Sequence, residues 1–197
     1  MPAHPYQPRA FTLPAIPGIS SKQIEEHLKL YEGYVKRTNA LYEAFERLSG
    51  DPDPVVAQDL RRRLGFEFNG MRLHEFYFGD LEGGPQPLPE GWLKETLARA
   101  FGNTQGLRDA LKAVVARGSG WAITNYDPLA QRIHLNWVDE HHIGQLATLP
   151  IIAAVDMWEH AYMVDYTPGE KMRYFDAYWA ALNWETIARR AEAWRPA

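Results

Sequence analysis

Cysteine is absent from the 197-residue sequence. That absence excludes disulfide frameworks, thiolate zinc sites, iron–sulfur clusters and cysteine nucleophiles. A protein-held metal must therefore use nitrogen and oxygen ligands, for which the chain offers 7 His and 25 Asp+Glu. Long apolar runs are missing as well; none approaches the roughly 20 residues that span a bilayer. No continuous apolar segment follows a basic stretch in the first twenty residues, so they do not read as a secretory signal. The expectation is a cytoplasmic chain without a membrane partner. An excess of positive charge is lacking too: 21 Lys+Arg against 25 Asp+Glu leave a net −4. A global electrostatic case for nucleic acid is thereby removed. Internal repeats, low-complexity segments and phosphate-binding glycine motifs are also absent.

What is abundant is aromatic surface, 13% of residues with 7 Trp, enough for a large core or an aromatic-lined pocket. The length fits one domain or a tightly joined pair. Five prolines, from Pro2 to Pro17, make the first 18 residues an extended arm. A first helix opens at Ser20, where Ser20 and Gln23 suit a capping box. Ile24, Leu28, Tyr31, Val35, Leu41, Phe45 and Leu48 recur at helical spacing up to Gly50. Asp51-Pro52-Asp53-Pro54 is a tight connection to a second helix over 55–78, with a break expected near Gly65. Two long helices joined so briefly form an antiparallel hairpin. After the Gly/Pro-rich segment 83–91, short helices are expected over 92–101 and 105–115, the second capped by Asn103 or Thr104. Strand-like runs follow at 121–126, 132–140 and 150–157, and helical periodicity returns over 171–194. The predicted fold class is α+β. An arm and helical hairpin domain (1–84) precedes an α/β domain (92–197) with a small three-stranded antiparallel sheet.

Asp156-Met157-Trp158-Glu159-His160 closes an apolar run, and an acid four residues before a histidine can aim with it at one point. A carboxylate with imidazoles suits iron, manganese or zinc, although taken alone this spacing is more often a surface pair or a satisfied core histidine. His27 lies on the apolar stripe of the first helix, between Ile24 and Tyr31. His74 sits among Met71, Leu73, Phe76 and Phe78. Each alone reads as a buried histidine bonded to a neighbour. Together with Asp156 and His160 they suit a shared metal site as well as they suit separately bonded core histidines, because buried imidazoles are costly unless partnered. His141-His142 is a further candidate pair, but adjacent residues point apart on a strand. His4 lies in the arm, and His134 on an alternate strand face. Arg61-Arg62-Arg63 reads as a solvated helix face. Ser119, between two glycines, lacks the strand–turn–helix context of a nucleophile elbow.

These motifs, in this order, resemble the iron/manganese superoxide dismutase family over nearly the whole chain. Phe11-Thr12-Leu13-Pro14 is similar to its N-terminal segment, and Tyr34-Val35 with Asn39 to its first-helix motif. Gly118-Ser119-Gly120-Trp121 resembles a recurrent strand opening. Asp156-Met157-Trp158-Glu159-His160-Ala161-Tyr162 is close to the family signature, and Leu182-Asn183-Trp184-Glu185 matches its closing helix. The resemblance implies one Fe or Mn ion per subunit, with His27, His74, Asp156 and His160 as ligands and water or hydroxide completing a trigonal-bipyramidal site. It implies disproportionation of superoxide to dioxygen and hydrogen peroxide.

The same resemblance assigns Tyr34 as the gateway tyrosine. It makes His141 the donor to metal-bound solvent, where glutamine is usual, with Gly70 leaving room. Trp121 and Trp158 become the aromatic wall, with Phe78 where tryptophan is common. Glu159 resembles the residue that bonds across a subunit interface to the partner's His160, so a homodimer or a dimer of dimers is implied. Three positions depart from the common pattern. His27 and Tyr34 are seven apart rather than eight. Tyr31 stands where many members carry a histidine that reaches the partner's Tyr162. Lys171 replaces an arginine. The ligands do not separate iron from manganese, though Gly70 with a donor from the second half leans toward the manganese-type arrangement. A non-catalytic metal-binding relative and a hydrolytic zinc enzyme are the competing readings.

Overall fold

The computed structural model describes residues 4–48 and 53–195. Helix α1 runs Ser21–Arg47 and α2 Pro54–Gly79. Gly50 and the Asp51-Pro52 half of the expected connection lie outside the described residues. Ser20 starts α1 by accepting the Gln23 N–H at 3.1 Å. The reciprocal half of the capping box does not form. The Gln23 side chain, 1% exposed, instead donates to the His160 carbonyl at 2.6 Å and accepts the Val164 N–H at 2.9 Å. Asp53 caps α2 through the Val55 N–H, with Pro54 as its first residue. No break occurs at Gly65. The His142 side chain lies against the helix there, and an added Cβ would meet that of His142 at 3.6 Å, an ordinary contact.

The arm lies along this hairpin. Asn39 takes both backbone groups of Tyr6, at 2.8 and 2.9 Å, and the Arg9 N–H donates to Tyr31 Oη at 2.8 Å.

Helices α3 (Trp92–Phe101) and α4 (Thr104–Val115) lead into the sheet. Asn103 is the cap of α4, accepting the Gly106 N–H at 2.9 Å. Strands β1 (Trp121–Asp127), β2 (Arg132–Val138) and β3 (Ile151–Asp156) form a three-stranded antiparallel sheet in the order β2-β1-β3. Trp121 is therefore flanked by Val138 on one side and Asp156 on the other. The second strand stops two residues earlier than its sequence pattern suggests. Glu140 adopts φ 51°, and Asp139 and Ile143 exchange backbone bonds of 2.8 and 3.2 Å across a turn. That turn presents His141.

The expected last helix is two, α5 (Lys171–Ala180) and α6 (Trp184–Ala191). Asn183 divides them, because its side chain caps α6 through the Thr186 N–H at 3.0 Å and also donates to the Glu82 carbonyl at 2.8 Å. Its own N–H reaches the Asp80 carbonyl at 2.7 Å, and Arg190 of α6 donates to the buried Asp80 carboxylate at 2.6 Å. Burial pushes the Asp80 pKa up to about 6 against the opposing pull of Arg190. The buried core runs without interruption from α1 and α2 through β1 and β3 to α5 and α6. No described helix is long and apolar enough to cross a membrane.

Candidate metal centre

Helical periodicity places His27 on the buried face of α1 with Tyr31 and Tyr34, and His74 on that of α2. Asp156 ends β3, and a single 3₁₀ turn, Glu159–Ala161, turns His160 back toward it. The four side chains come together. Nε2 of His27, His160 and His74 lies 3.2, 3.1 and 3.6 Å from one atom, Asp156 Oδ2. One donor atom from each residue lies within 4.8 Å of all the others. Ligands bonded to one first-row metal ion at about 2.1 Å stand about 3.0–3.6 Å apart at right to trigonal angles; the three imidazole–carboxylate separations match that spacing, and the cluster is compatible with a single ion.

Hydrogen bonding aims these atoms. His74 Nδ1–H donates to the Gly70 carbonyl one turn back, at 2.5 Å, which leaves Nε2 the lone-pair nitrogen facing inward. Asp156 Oδ1 accepts the Trp158 N–H at 2.9 Å, and Oδ2 is left for the imidazoles. His74 Nε2 and His27 Nδ1 are buried without a partner, a cost that an ion on Nε2 removes for His74. Burial lowers the pKa of His27 and, more strongly, of His74. For Asp156 burial acts upward, but His160 and His27 beside it outweigh that and hold the carboxyl far below the usual range. His27 and His74 are thus neutral imidazoles beside a carboxylate, the protonation state a cation requires.

A second group of side chains stands over these four. Tyr34 is 6% exposed, and its Oη lies 2.7 Å from His141 Nε2. Trp121 Nε1–H donates to His141 Nδ1 at 2.9 Å. Indole nitrogen is only a donor, so Nδ1 carries no proton and the single proton of neutral His141 sits on Nε2. Burial pushes the His141 pKa down to about 4. Tyr34 is shifted above the usual phenol range, first by burial and then by the Asp156 charge. The Trp121 ring centroid lies 5.1 Å from that of His74, and Trp158 stacks on His160 at 6.1 Å. Phe78 and Tyr77 close the other side, 4.9 and 4.8 Å from His27.

Gly70 does leave room, but Tyr34 fills it. A Cβ there would stand 2.6 Å from Tyr34 Cδ1. Gly70→Ala is therefore expected to lower stability by about 1–3 kcal/mol through overpacking, measured by urea unfolding. An unchanged midpoint would mean that the Tyr34 ring is not held where it lies.

Other residues singled out in the sequence go elsewhere. Tyr31 is 1% exposed and turned inward, accepting from Arg9 and donating to Glu75 at 3.3 Å. Its hydroxyl is occupied within the subunit. Glu159 is exposed and accepts a hydrogen bond from Ser119. Tyr162 is 3% exposed, with its ring 5.5 Å from that of Tyr174. Lys171 donates to the Ala116 carbonyl at the end of α4, at 3.4 Å. His142 points away from His141, toward Glu140 at 3.7 Å, and His134 lies 3.9 Å from Asp127. Gln23, which reads as a cap in the sequence, is the side chain that ties α1 to the His160 turn. A 3.6-residue pattern puts it on the buried stripe one turn before His27, and that was the signal available.

A helical hairpin and a sheet-bearing half that converge on three imidazoles and one carboxylate define a mononuclear metalloprotein with nitrogen and oxygen ligands. Residues 89–190 match the C-terminal domain of iron/manganese superoxide dismutases. The chain is 32% identical to the iron superoxide dismutase of Aquifex aeolicus, over 98% of this chain and 93% of that one. It is 32% identical to the iron enzyme of Cupriavidus metallidurans over 89% and 90%, and 25% identical to the Mn/Fe superoxide dismutase of Aeropyrum pernix over 84% and 79%. The chain belongs to the iron/manganese superoxide dismutase family.

Proposed function

We propose that the chain disproportionates superoxide to dioxygen and hydrogen peroxide at one iron or manganese ion held by His27, His74, Asp156 and His160. The convergence of three imidazole nitrogens on Asp156 Oδ2 carries this reading. When bound, such an ion supplies the one-electron cycling that oxidises one superoxide and reduces the next. Two protons must then reach the reduced product, and the side chains above the site are suited to handle them. Trp121 holds His141 in the Nε2–H tautomer, and that proton is directed at Tyr34 Oη. Tyr34 accepts it and keeps its own hydroxyl proton, which its raised pKa retains at neutral pH, for delivery to the product. The rings of Trp121, Trp158, Tyr77 and Phe78 exclude bulk water, so the charges that are present act more strongly on the reacting atoms.

The test is reconstitution with iron and with manganese separately, followed by metal analysis and direct measurement of superoxide decay. One ion per chain with rapid decay is expected. A replete protein that leaves superoxide untouched would favour the non-catalytic relative, and redox-active metal without zinc in the purified protein would remove the hydrolase. The relatives' names favour iron, whereas the Gly70 arrangement favours manganese.

A homodimer in the cytoplasm is part of the same proposal. His160 keeps 24% of its side chain exposed, next to exposed Glu159, Met163 and Val164. A second copy placed there would orient the ligand from outside. Analytical ultracentrifugation, together with loss of dimer in Glu159→Ala, checks the assembly, and cell fractionation checks the location.

A further inference from the structure

The amide of Gln23 takes the place of a backbone hydrogen bond. Its Nε2–H donates to the His160 carbonyl at 2.6 Å, and its Oε1 accepts the Val164 N–H at 2.9 Å. Those two backbone groups are four residues apart, the pair that an α-helical bond joins. Bonds of that type form on either side, from the Met163 N–H to the Glu159 carbonyl at 2.9 Å and from the Tyr166 N–H to the Tyr162 carbonyl at 2.8 Å. Between them the His160 carbonyl and the Val164 N–H have no backbone partner among the described residues. An amide offers one donor end and one acceptor end, so Gln23 bridges the gap as an inserted peptide unit would.

His160 is the member of the cluster that the rest of the fold holds least. Its side chain is 24% exposed, whereas those of His27, His74 and Asp156 are fully buried. His27 and His74 stand on long helices and Asp156 on the sheet, but His160 stands on a single 3₁₀ turn. Gln23 reaches that turn from the buried stripe of α1, one helical turn before His27. One helix thus carries His27 directly and fixes the main chain of His160. Two further bonds join the same segments. The Ser20 N–H donates to the Asp165 carboxylate at 2.6 Å, and the Tyr166 hydroxyl donates to the Gly18 carbonyl. Neither of these touches residue 160.

We propose that Gln23 is a positioning residue of the metal centre, holding the His160 main chain so that its Nε2 meets Asp156 Oδ2 beside the His27 imidazole. Without the amide, the His160 carbonyl and the Val164 N–H are free to bond each other. Closing that turn draws residue 160 into its own segment and away from α1. The inference rests on the four residues holding an ion, and it does not depend on superoxide being the substrate.

The experiment compares the full chain with Gln23→Met, Gln23→Asn and Asp165→Ala. Methionine keeps the length of glutamine and loses both polar contacts. Asparagine keeps the amide but is one methylene too short to span the gap. Asp165→Ala loosens the same junction without touching His160. Each metal-free protein is unfolded in urea, and its Kd for manganese(II) is measured by competition with a chelator. The EPR spectrum of the bound manganese(II) reads the ligand geometry. Gln23→Met should raise the Kd roughly tenfold to 100-fold, the usual worth of a partner that orients a metal ligand, and should alter the spectrum. Gln23→Asn should fall between it and the parent, and it carries the comparison if the methionine variant does not fold. Asp165→Ala should lower the urea midpoint and leave Kd and spectrum unchanged. Gln23 variants with the parent's Kd and spectrum would overturn the proposal. So would an Asp165→Ala protein that loses as much affinity as they do, because the bridge would then be one structural tie among several. A parent that takes up neither manganese(II) nor iron(II) would remove the metal centre itself and the positioning role with it.

Discussion

Asp156→Ala is expected to leave the purified protein with almost no bound metal and no measurable superoxide consumption. Asp156 supplies the site's one negative charge, and Oδ2 lies within 3.6 Å of all three imidazole nitrogens. His27 and His74 are held neutral by burial, so without Asp156 a cation would enter a dry pocket with no compensating charge. Partners one bond further from a metal are already worth 10–100-fold in affinity, as a rough guide. Loss of the carboxylate should therefore exceed about 100-fold. Elemental analysis after purification and superoxide decay after added metal measure it. The metal-free variant should unfold within about 1–3 kcal/mol of the metal-free parent, the cost of leaving the Trp158 N–H without its acceptor. That comparison separates lost metal from lost fold. Full metal occupancy in Asp156→Ala would move the site elsewhere.

Much of this centre is legible in the sequence because it is built from regular elements. His27 and His74 sit on helix faces, where the spacing of apolar neighbours reveals which side is buried. Asp156 and His160 share one turn at the end of an apolar strand. The helical hairpin and three-stranded sheet are legible for the same reason, since each element has its own period. What escapes is determined by contacts distant in the chain. Gly65 reads as a break, because nothing local says that His142 packs on it. Gln23 reads as a cap, although its side chain belongs to a turn 137 residues away. Glu67 and Arg63 form an ordinary helical pair by spacing. Only the fold brings Arg37 from α1 to the same carboxylate and places the two guanidinium groups over the rings of Tyr34 and Phe66. The division of the final helical segment at Asn183 depends likewise on Asp80 and Glu82 of a distant helix end.

His141→Ala is expected to keep the metal and lose roughly 100-fold or more in superoxide consumption, the usual worth of a positioned proton donor. None of the four clustered residues is hydrogen-bonded to His141, whose partners are Trp121 and Tyr34. Its removal leaves the Trp121 N–H without an acceptor and Tyr34 without its donor. Glutamine offers an oxygen for the first and an N–H for the second, so His141→Gln should recover most of the rate, whereas His141→Leu should not. The same residue leaves a signature in stability. Its pKa falls from an ordinary 6.5 to about 4 on folding, so the folded state favours the neutral ring. The resulting stabilisation is complete above pH 6.5 and is lost as pH falls through about 4. Its size is on the order of 3 kcal/mol. Urea unfolding of the metal-free proteins between pH 7 and pH 4 should show a shallower decline for His141→Gln than for the parent. Identical slopes would mean that His141 does not titrate as a buried neutral group, and the assignment of its proton to Nε2 would fail with it.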